Sequence, residues 1–226
     1  MRKIFLIANW KQSGTRKQTL TWLEQIGKEI PLHTEEIHLI VCPPLKGLDL
    51  VSQYIEDKSL PIDVGIQDID TNVFEGEKNT GSMSPGLLVD SATYVIIGHS
   101  ETRNNYRLAD EDVAKKIMVA KNHNFTPIVC ISELSQVEKL NKDFSDIVAY
   151  EPLFAVGTGV PDSPENVNAM VEKIGAILPK ASIIYGGSVD GNNIKGFLAT
   201  GSLSGILVGN RSLDPSFFLE IIKNAH

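Results

Sequence analysis

The sequence predicts an α/β fold in which eight parallel strands close into a (β/α)8 barrel. Short apolar runs rich in β-branched residues recur eight times along the 226 residues, as is typical of strands buried on both faces. Amphipathic helical patterns lie between many of these runs, which favours a parallel sheet covered by helices. Eight repeats and this chain length favour a closed barrel, whose usual size is roughly 200 to over 400 residues, over an open sheet.

The elements alternate along the whole chain. The predicted strands are 4–8, 37–41, 62–66, 94–97, 128–131, 147–150, 183–185 and 206–208. Helical patterns cover 20–30, 48–55, 113–120, 167–178 and 217–222. Ser163-Pro164 and Asp214-Pro215 each place a capping residue before a first-turn proline, which predicts two helix starts. No Pro-, Gly- or Ser-rich linker divides the sequence, so residues 1–226 are predicted to form a single domain.

Composition limits the kinds of partner. The net charge of -7 and the pI near 5.3 argue against a nucleic-acid or anionic-membrane surface, so local donors must hold any anionic ligand. The apolar run at residues 4–8 is shorter than a signal sequence requires, and no later run could span a bilayer, so we expect a cytoplasmic protein. Cys42 and Cys130 lie in apolar runs without a CxxC pattern, which predicts buried thiols rather than a disulfide or metal site.

The segment 146–159 carries the strongest single signal for function. Its apolar run places Glu151 at the end of a strand, and Pro152 stops further pairing. Residues 153–159 are too apolar for a permanently solvated loop and contain Gly157 and Gly159, a composition typical of a lid. The alternative is an ordinary strand-to-helix connection with an exposed glutamate.

Other strand ends carry polar groups that should converge at one mouth of a barrel. Asn9 and Lys11 follow the first strand and suit an anion or a carbonyl group, although they are also compatible with surface residues beside a packed tryptophan. His99 follows the fourth strand and alone would more often be structural. Glycine-bearing tips follow the seventh and eighth strands, where barrels frequently bind phosphate through backbone N–H groups.

Five motifs, in order and one per strand tip, resemble the triosephosphate isomerase family. They are Asn9-Trp-Lys11, Gly98-His-Ser-Glu101, Ala149-Tyr-Glu-Pro152 with Gly157-Thr-Gly159, Tyr185-Gly-Gly-Ser-Val189 and Leu207-Val-Gly209. The resemblance extends over residues 3–213. It implies a TIM barrel that interconverts dihydroxyacetone phosphate and D-glyceraldehyde 3-phosphate through an enediolate, without a metal or an organic cofactor.

The resemblance also implies a role for each site residue. Glu151 would be the base, His99 would polarise the carbonyl group, and Lys11 with Asn9 would stabilise the negative charge on the enediolate oxygens. Glu101 would orient Lys11. The phosphate would be held by backbone N–H groups of four residues: Gly157, Ser188, Gly209 and Asn210. Closure of residues 153–159 would exclude water from the intermediate.

Two regions depart from the family pattern. Only twenty residues, 131–150, separate Cys130 from Glu151, so residues 133–141 predict a shortened fifth crossover helix of little more than two turns. The loop 78–82 lacks the usual aromatic and acidic residues. The resemblance implies a homodimer in which Thr80 of this loop reaches towards the partner, and the substitutions predict a weaker assembly.

Two other functions remain open from the sequence. An epimerase acting on another phosphosugar would share the phosphate site but would not need Asn9, Lys11, His99 and Glu151 together. A triose-phosphate-binding barrel without catalysis would keep the glycines and lose the base or the electrophile. Neither loss is seen in this chain.

Overall fold

The computed structural model describes residues 4–71 and 84–225. Eight parallel strands form a closed barrel in which each strand pairs with the next and the eighth pairs with the first. The strands are β1 (Ile4–Asn9), β2 (Ile37–Cys42), β3 (Ile62–Ile66), β4 (Tyr94–Ile97), β5 (Thr126–Ile131), β6 (Ile147–Tyr150), β7 (Ser182–Tyr185) and β8 (Gly205–Val208). The predicted (β/α)8 barrel is confirmed, and each strand lies where an apolar run predicted it.

Strand side chains alternate between two apolar layers, because successive residues of a strand point to opposite faces. One layer fills the barrel and consists of Ile7, Ile40, Cys42, Ile96, Ile128, Cys130, Ile147, Ala149, Ile184 and Leu207. The larger layer lies between the strands and the surrounding helices. Both cysteines are buried free thiols, as predicted. The interior is therefore a packed core, and only its carboxyl-terminal mouth is available for a site.

The described residues contain eight α-helices. They are α1 (Arg16–Glu29), α2 (Leu48–Asp57), α3 (Ser100–Tyr106), α4 (Asp110–Asn122), α5 (Leu134–Val137), α6 (Pro164–Ile177), α7 (Ile194–Leu198) and α8 (Pro215–Asn224). Both predicted helix starts are confirmed. The Ser163 hydroxyl accepts from the N–H of Asn166, and the Asp214 carboxylate accepts from the N–H groups of Ser216 and Phe217. No helix in this part of the chain is long and apolar enough to cross a bilayer.

Sequence periodicity did not predict α3 or α7. Helix α3 buries only Ser100 and has no apolar stripe, so its signal at the sequence level is absent. Helix α7 has only five residues, fewer than a periodic pattern needs. Helix α7 packs against α6 and α8, and Arg103 of α3 donates to the carbonyl of Gly98 and to Asp110. Helix α3 matters for function because it begins directly after His99.

The predicted shortening of the fifth crossover helix is confirmed. Helix α5 spans four residues, one turn, which is within the limit of little more than two turns for residues 133–141. Buried Val137 and Phe144 anchor the segment to the core. Two ion pairs hold its second half: Lys180 Nζ lies 2.9 Å from Asp143 Oδ1, and Lys121 Nζ lies 2.6 Å from Asp146 Oδ2. The shortened connection still delivers β6, and hence Glu151, in register with β5.

Aromatic packing fixes the first strand tip against the segment that follows β8. Trp22 on α1 donates its indole N–H to the carbonyl of Ser212 over 2.7 Å. Its ring also contacts Trp10 and Phe218, with centroids 5.1 and 5.8 Å apart. Helix α1 therefore links two loops at the mouth. Thr80 and the rest of the loop 78–82 lie outside the described residues.

Candidate active site

The mouth of the barrel brings together the predicted residues from four strand tips. A cavity of about 1190 Å³ is lined by Asn9, Lys11, His99, Glu101 and Asn210, among others. Glu151 does not itself line the cavity, but its Oε2 atom is 3.4 Å from Nε2 of His99, which does. Residues far apart in sequence thus meet because the carboxyl ends of all eight strands open on one side.

Glu151 is a buried carboxyl group without a committed partner. It is 2% exposed, and its Oε2 atom has no hydrogen-bond partner among the described residues. Burial raises the pKa of Glu151 to about 8, Lys11 opposes that rise, and Glu101 adds to it. A buried polar atom without a partner is costly. Its retention beside an imidazole indicates a group kept for reaction with a ligand.

His99 is held as a neutral imidazole with a defined tautomer. The backbone N–H of Glu101, in the first turn of α3, donates to Nδ1 of His99 over 3.1 Å. In the neutral ring the proton is therefore on Nε2, the atom that faces Glu151. Burial and, to a lesser extent, the charge of Lys11 together lower the pKa of His99 to about 4, against an opposing effect of Glu101. The ring can donate a hydrogen bond to a ligand oxygen at neutral pH.

Lys11 is fixed at both its backbone and its ammonium group. It has a left-handed backbone with φ 51°, a conformation uncommon for a residue other than glycine. The Asn9 side-chain oxygen accepts from the Lys11 N–H over 3.0 Å, and Gln67 donates to the Lys11 carbonyl over 2.7 Å. The ammonium group lies 2.5 Å from Glu101 Oε1. Because Asn9 uses its oxygen in this way, its NH2 group remains available to a ligand.

One of the two predicted phosphate-binding tips, the one after β8, lies beside this cation. A Cβ atom on Gly209 would lie 3.5 Å from Cε of Lys11, so the end of β8 passes directly beside the lysine. Ser188 has a left-handed backbone with φ 54°, whereas Asn210 begins a 3₁₀ turn without a positive φ. The asparagine therefore needs no unusual backbone at this position.

The lid segment 153–159 is tied to the strand tip after β7. The Ser188 hydroxyl donates to the carbonyl of Ala155 over 2.7 Å and accepts from the N–H of Gly159 over 3.1 Å. Tyr185 Oη accepts from the N–H of Asp162 over 3.0 Å. Leu153 and Phe154 are 60% and 59% exposed. Few bonds hold a segment with exposed apolar side chains, as expected of a part that moves.

Three residues with geometric roles were not predicted as site residues. Gln67 positions Lys11, and its place directly after β3 was the available signal. Gly186 provides the space for the Glu151 side chain, and the buried thiol of Cys130 lowers the pKa of the same carboxyl group. No sequence pattern indicated these two contacts. Within residues 4–71 and 84–225, no group of three or more His, Cys, Asp or Glu side chains could hold a metal ion.

Comparison with known proteins points to one family. The family model for triosephosphate isomerase matches residues 4–225. The triosephosphate isomerase of Dictyoglomus turgidum is 33% identical over 256 residues, covering 99% of this chain and 100% of the relative. That of Vibrio cholerae is 32% identical over 257 residues, covering 100% and 98%. That of Buchnera aphidicola is 34% identical over 255 residues, with the same two coverages. These alignments are longer than this chain, so the relatives contain segments that it lacks.

Proposed function

The chain belongs to the triosephosphate isomerase family, and from that premise we propose that Glu151 and His99 transfer the protons of the isomerisation. The reaction interconverts dihydroxyacetone phosphate and D-glyceraldehyde 3-phosphate. It requires a base that removes a proton from the carbon beside a carbonyl group, and an acid that protonates the oxygen on which charge develops.

The observation that carries this proposal is the unpartnered Oε2 atom of Glu151 opposite Nε2 of His99. The two atoms are 3.4 Å apart on buried side chains, and Lys11 lines the same cavity as His99. A substrate bound against both groups would meet a carboxylate at its carbon atoms and an N–H donor at its oxygen atoms. Glu151 would take the proton from one carbon and return it to the neighbouring carbon.

His99 and Lys11 would stabilise the enediolate that forms between the two proton transfers. A neutral imidazole electrophile is the established arrangement in this family, and the Glu101 N–H to His99 Nδ1 bond supports it in this chain. The ammonium group of Lys11 would neutralise the developing charge, and the NH2 group of Asn9 would add a donor. Glu101 would act as a positioning residue through its ion pair with Lys11.

The phosphate group would bind at the tips after β7 and β8 and beneath the lid. We propose backbone N–H groups of Gly157, Ser188, Gly209 and Asn210 as the donors, because they add no bulk around a small dianion. The contact between Gly209 and the Lys11 side chain supports this placement, since it sets the phosphate end beside the cation. Closure of residues 153–159 would exclude water and keep the enediolate from losing phosphate.

We also propose a cytoplasmic homodimer of single-domain subunits, each formed by residues 1–226. The proposed assembly uses the loop around Thr80, which would reach the partner near Asn9 and Lys11. Leu45, Leu87 and Tyr106 support it, because these apolar side chains are 52%, 68% and 74% exposed. Leu45 and Tyr106 also line the active-site cavity, so a partner that covers them would lie next to Lys11.

A coupled assay of the purified protein with glyceraldehyde 3-phosphate tests the activity directly. Glu151→Gln keeps the size of the side chain and removes its basicity, so turnover should fall by at least roughly 10²- to 10⁴-fold, the usual contribution of general acid–base catalysis. Affinity for a phosphate-bearing competitive inhibitor should be largely kept. Near-normal turnover of this variant would exclude Glu151 as the base.

A further inference from the structure

A second cavity adjoins the active site on its phosphate side. It has a volume of about 750 Å³ and lies between the start of α1 and the segment that follows β8. Ser13 and Asn210 line both this cavity and the active-site cavity. A ligand in the second cavity would therefore be a direct neighbour of the proposed phosphate donors.

The cations of the two cavities differ in whether a carboxylate pairs with them. Lys11 and Lys116 line the active-site cavity, and Glu101 and Asp68 pair with them. Lys17 and Arg211 line the second cavity. Neither forms an ion pair with a residue of the described ranges 4–71 and 84–225. The second cavity thus contains cations without a paired carboxylate, whereas the cations of the active-site cavity are paired.

The carboxylate that lines the second cavity already accepts hydrogen bonds from a helix N-terminus. Asp214 caps α8, and its Oδ1 atom accepts from the N–H groups of Ser216 and Phe217 over 2.9 and 3.3 Å. Because a carboxylate at a helix N-terminus is stabilised there by the helix dipole, Asp214 has a structural role that does not require Lys17 or Arg211. Two cations and one engaged carboxylate leave a cavity that favours an anion.

Arg211 is held in a fixed orientation. Its guanidinium carbon lies 3.9 Å from the centre of the Phe217 ring. This cation–π contact covers one face of the group. The N–H donors of a guanidinium lie in its plane, where they remain able to bind an oxyanion. The arginine is therefore oriented without being neutralised.

The positive charge of Lys17 does not stabilise the helix in which it lies. It lies in the first turn of α1, which contains no acidic residue and also carries Arg16. A positive charge is disfavoured at a helix N-terminus, because the helix dipole is positive there. Lys17 and Arg211 nevertheless line the same cavity from two different elements.

We propose that Lys17 and Arg211 form an anion-capture site that attracts the phosphate dianion of the substrate and directs it to the adjoining active site. This inference rests on the proposed function for the identity of the substrate. The chain has a net charge of -7, which opposes the approach of a dianion. A local pair of unpaired cations offsets that negative field beside the proposed phosphate donors. The pair therefore acts on the encounter with the substrate and on its binding, not on the proton transfers.

Kinetics of charge variants at two ionic strengths test the proposal. A unit charge facing a dianion at about 10 Å in water changes the interaction by about fourfold in binding. We therefore expect Arg211→Gln and Lys17→Gln each to lower kcat/KM by about two- to fourfold at about 0.01 M ionic strength, where the Debye length is about 30 Å. The loss should fall on KM rather than kcat, and should disappear at about 1 M salt.

Lys173→Gln is the matched control, because Lys173 is an exposed cation on α6 that lines neither cavity. Arg211→Lys keeps the charge and should recover most of the loss. Losses in the two cavity variants no greater than in the control, or losses that persist at high salt, would overturn the proposal.

Titration with inorganic phosphate by calorimetry separates this inference from the proposed function. A wild-type protein without isomerase activity would refute the proposed function, and phosphate binding would then decide the capture site alone. The site predicts phosphate binding at low salt that weakens in both Arg211→Gln and Lys17→Gln but not in Lys173→Gln. Equal binding by all four proteins would overturn it.

Discussion

A Cβ atom on Gly186 would lie 2.8 Å from both Cγ and Oε1 of Glu151. The backbone of Gly186 does not have the left-handed conformation that favours glycine, and its N–H donates to the carbonyl of Tyr150 over 2.9 Å. Glycine is therefore required at this position for space alone. The space is where the buried carboxyl group lies, so the glycine after β7 determines the position of the proposed base after β6.

Gly186→Ala should consequently reduce catalysis without unfolding the barrel. The added methyl group must displace the Glu151 side chain, and a misplacement of about 1 Å in a reacting group costs about 10²-fold in rate. We expect a fall of that order in kcat. Steady-state kinetics and a thermal melt of the same preparation measure the two effects.

A double-mutant cycle tests whether the loss acts through Glu151. Glu151→Ala removes both atoms that the methyl group would meet, so Gly186→Ala should lower the residual turnover of that variant much less than it lowers the turnover of the wild type. Equal costs in both backgrounds would show that the alanine acts through another contact.

The pH dependence of kcat/KM should reflect the burial of Glu151. The base must be ionised to act, and burial raises its pKa to about 8. We expect kcat/KM to rise with pH towards about 8 and to level off above it. The phosphate group of the substrate titrates near pH 6, so the profile above about pH 7 isolates the enzyme group. A profile that is flat from about pH 7 to 9 would contradict a raised pKa in the free enzyme.

The stability of the Glu151→Gln variant relative to the wild type should increase as pH rises. The folded-state pKa of Glu151 is about 8, above its ordinary value of 4.5, so the folded protein keeps a proton that the unfolded chain releases. Stability is therefore lost as pH rises from about 4.5 to 8, and glutamine removes that loss. The variant should gain a few kcal/mol relative to the wild type by about pH 8, as expected for a pKa raised by several units.

Urea denaturation at about pH 5 and about pH 8, at one protein concentration, measures this difference. His99 is present in both proteins, so its own titration cancels to a first approximation. A stability difference that is the same at both pH values would mean that the glutamate does not carry a raised pKa.

The lid contacts of Ser188 should control the fate of the intermediate. Its hydroxyl joins the carbonyl of Ala155 to the N–H of Gly159. Ser188→Ala removes both bonds and keeps the backbone N–H proposed for phosphate binding. We expect more release of inorganic phosphate per isomerisation, because a less firmly closed lid admits water to the enediolate. Deletion of residues 154–157 should have the same effect more strongly. Unchanged partitioning in both variants would argue against a protective lid.

The sequence could predict the strands and the residues at their ends, because apolar runs of strand length mark where each chain segment leaves the core. Glu151 and His99 could be predicted from the sequence for that reason. Helix α3 could not be predicted, since it buries a single serine and has no periodic apolar stripe. The contact of Gly186 with Glu151 and the stacking of Arg211 on Phe217 join side chains whose relative positions depend on how the elements pack. Periodicity contains no information about such contacts.

The proposed homodimer should dissociate more readily than a typical obligate dimer. Interface cores are rich in aromatic residues and poor in lysine, whereas the loop proposed to dock carries Lys78 and Asn79 and has no aromatic residue after Phe74. The exposed apolar side chains of Leu45, Leu87 and Tyr106 favour a partner, but the loop offers them little apolar surface in return.

Mass action then predicts a concentration dependence of both activity and stability. If a partner helps to fix Lys11, specific activity and the thermal midpoint should fall together on dilution. Sedimentation and activity are measured over the same dilution series, with added bovine serum albumin in a parallel activity series to exclude surface loss. A protein that stays dimeric throughout would show that the altered loop has other contacts that hold it. A monomer that is fully active at every concentration would show that Asn9, Gln67 and Glu101 position Lys11 without a partner.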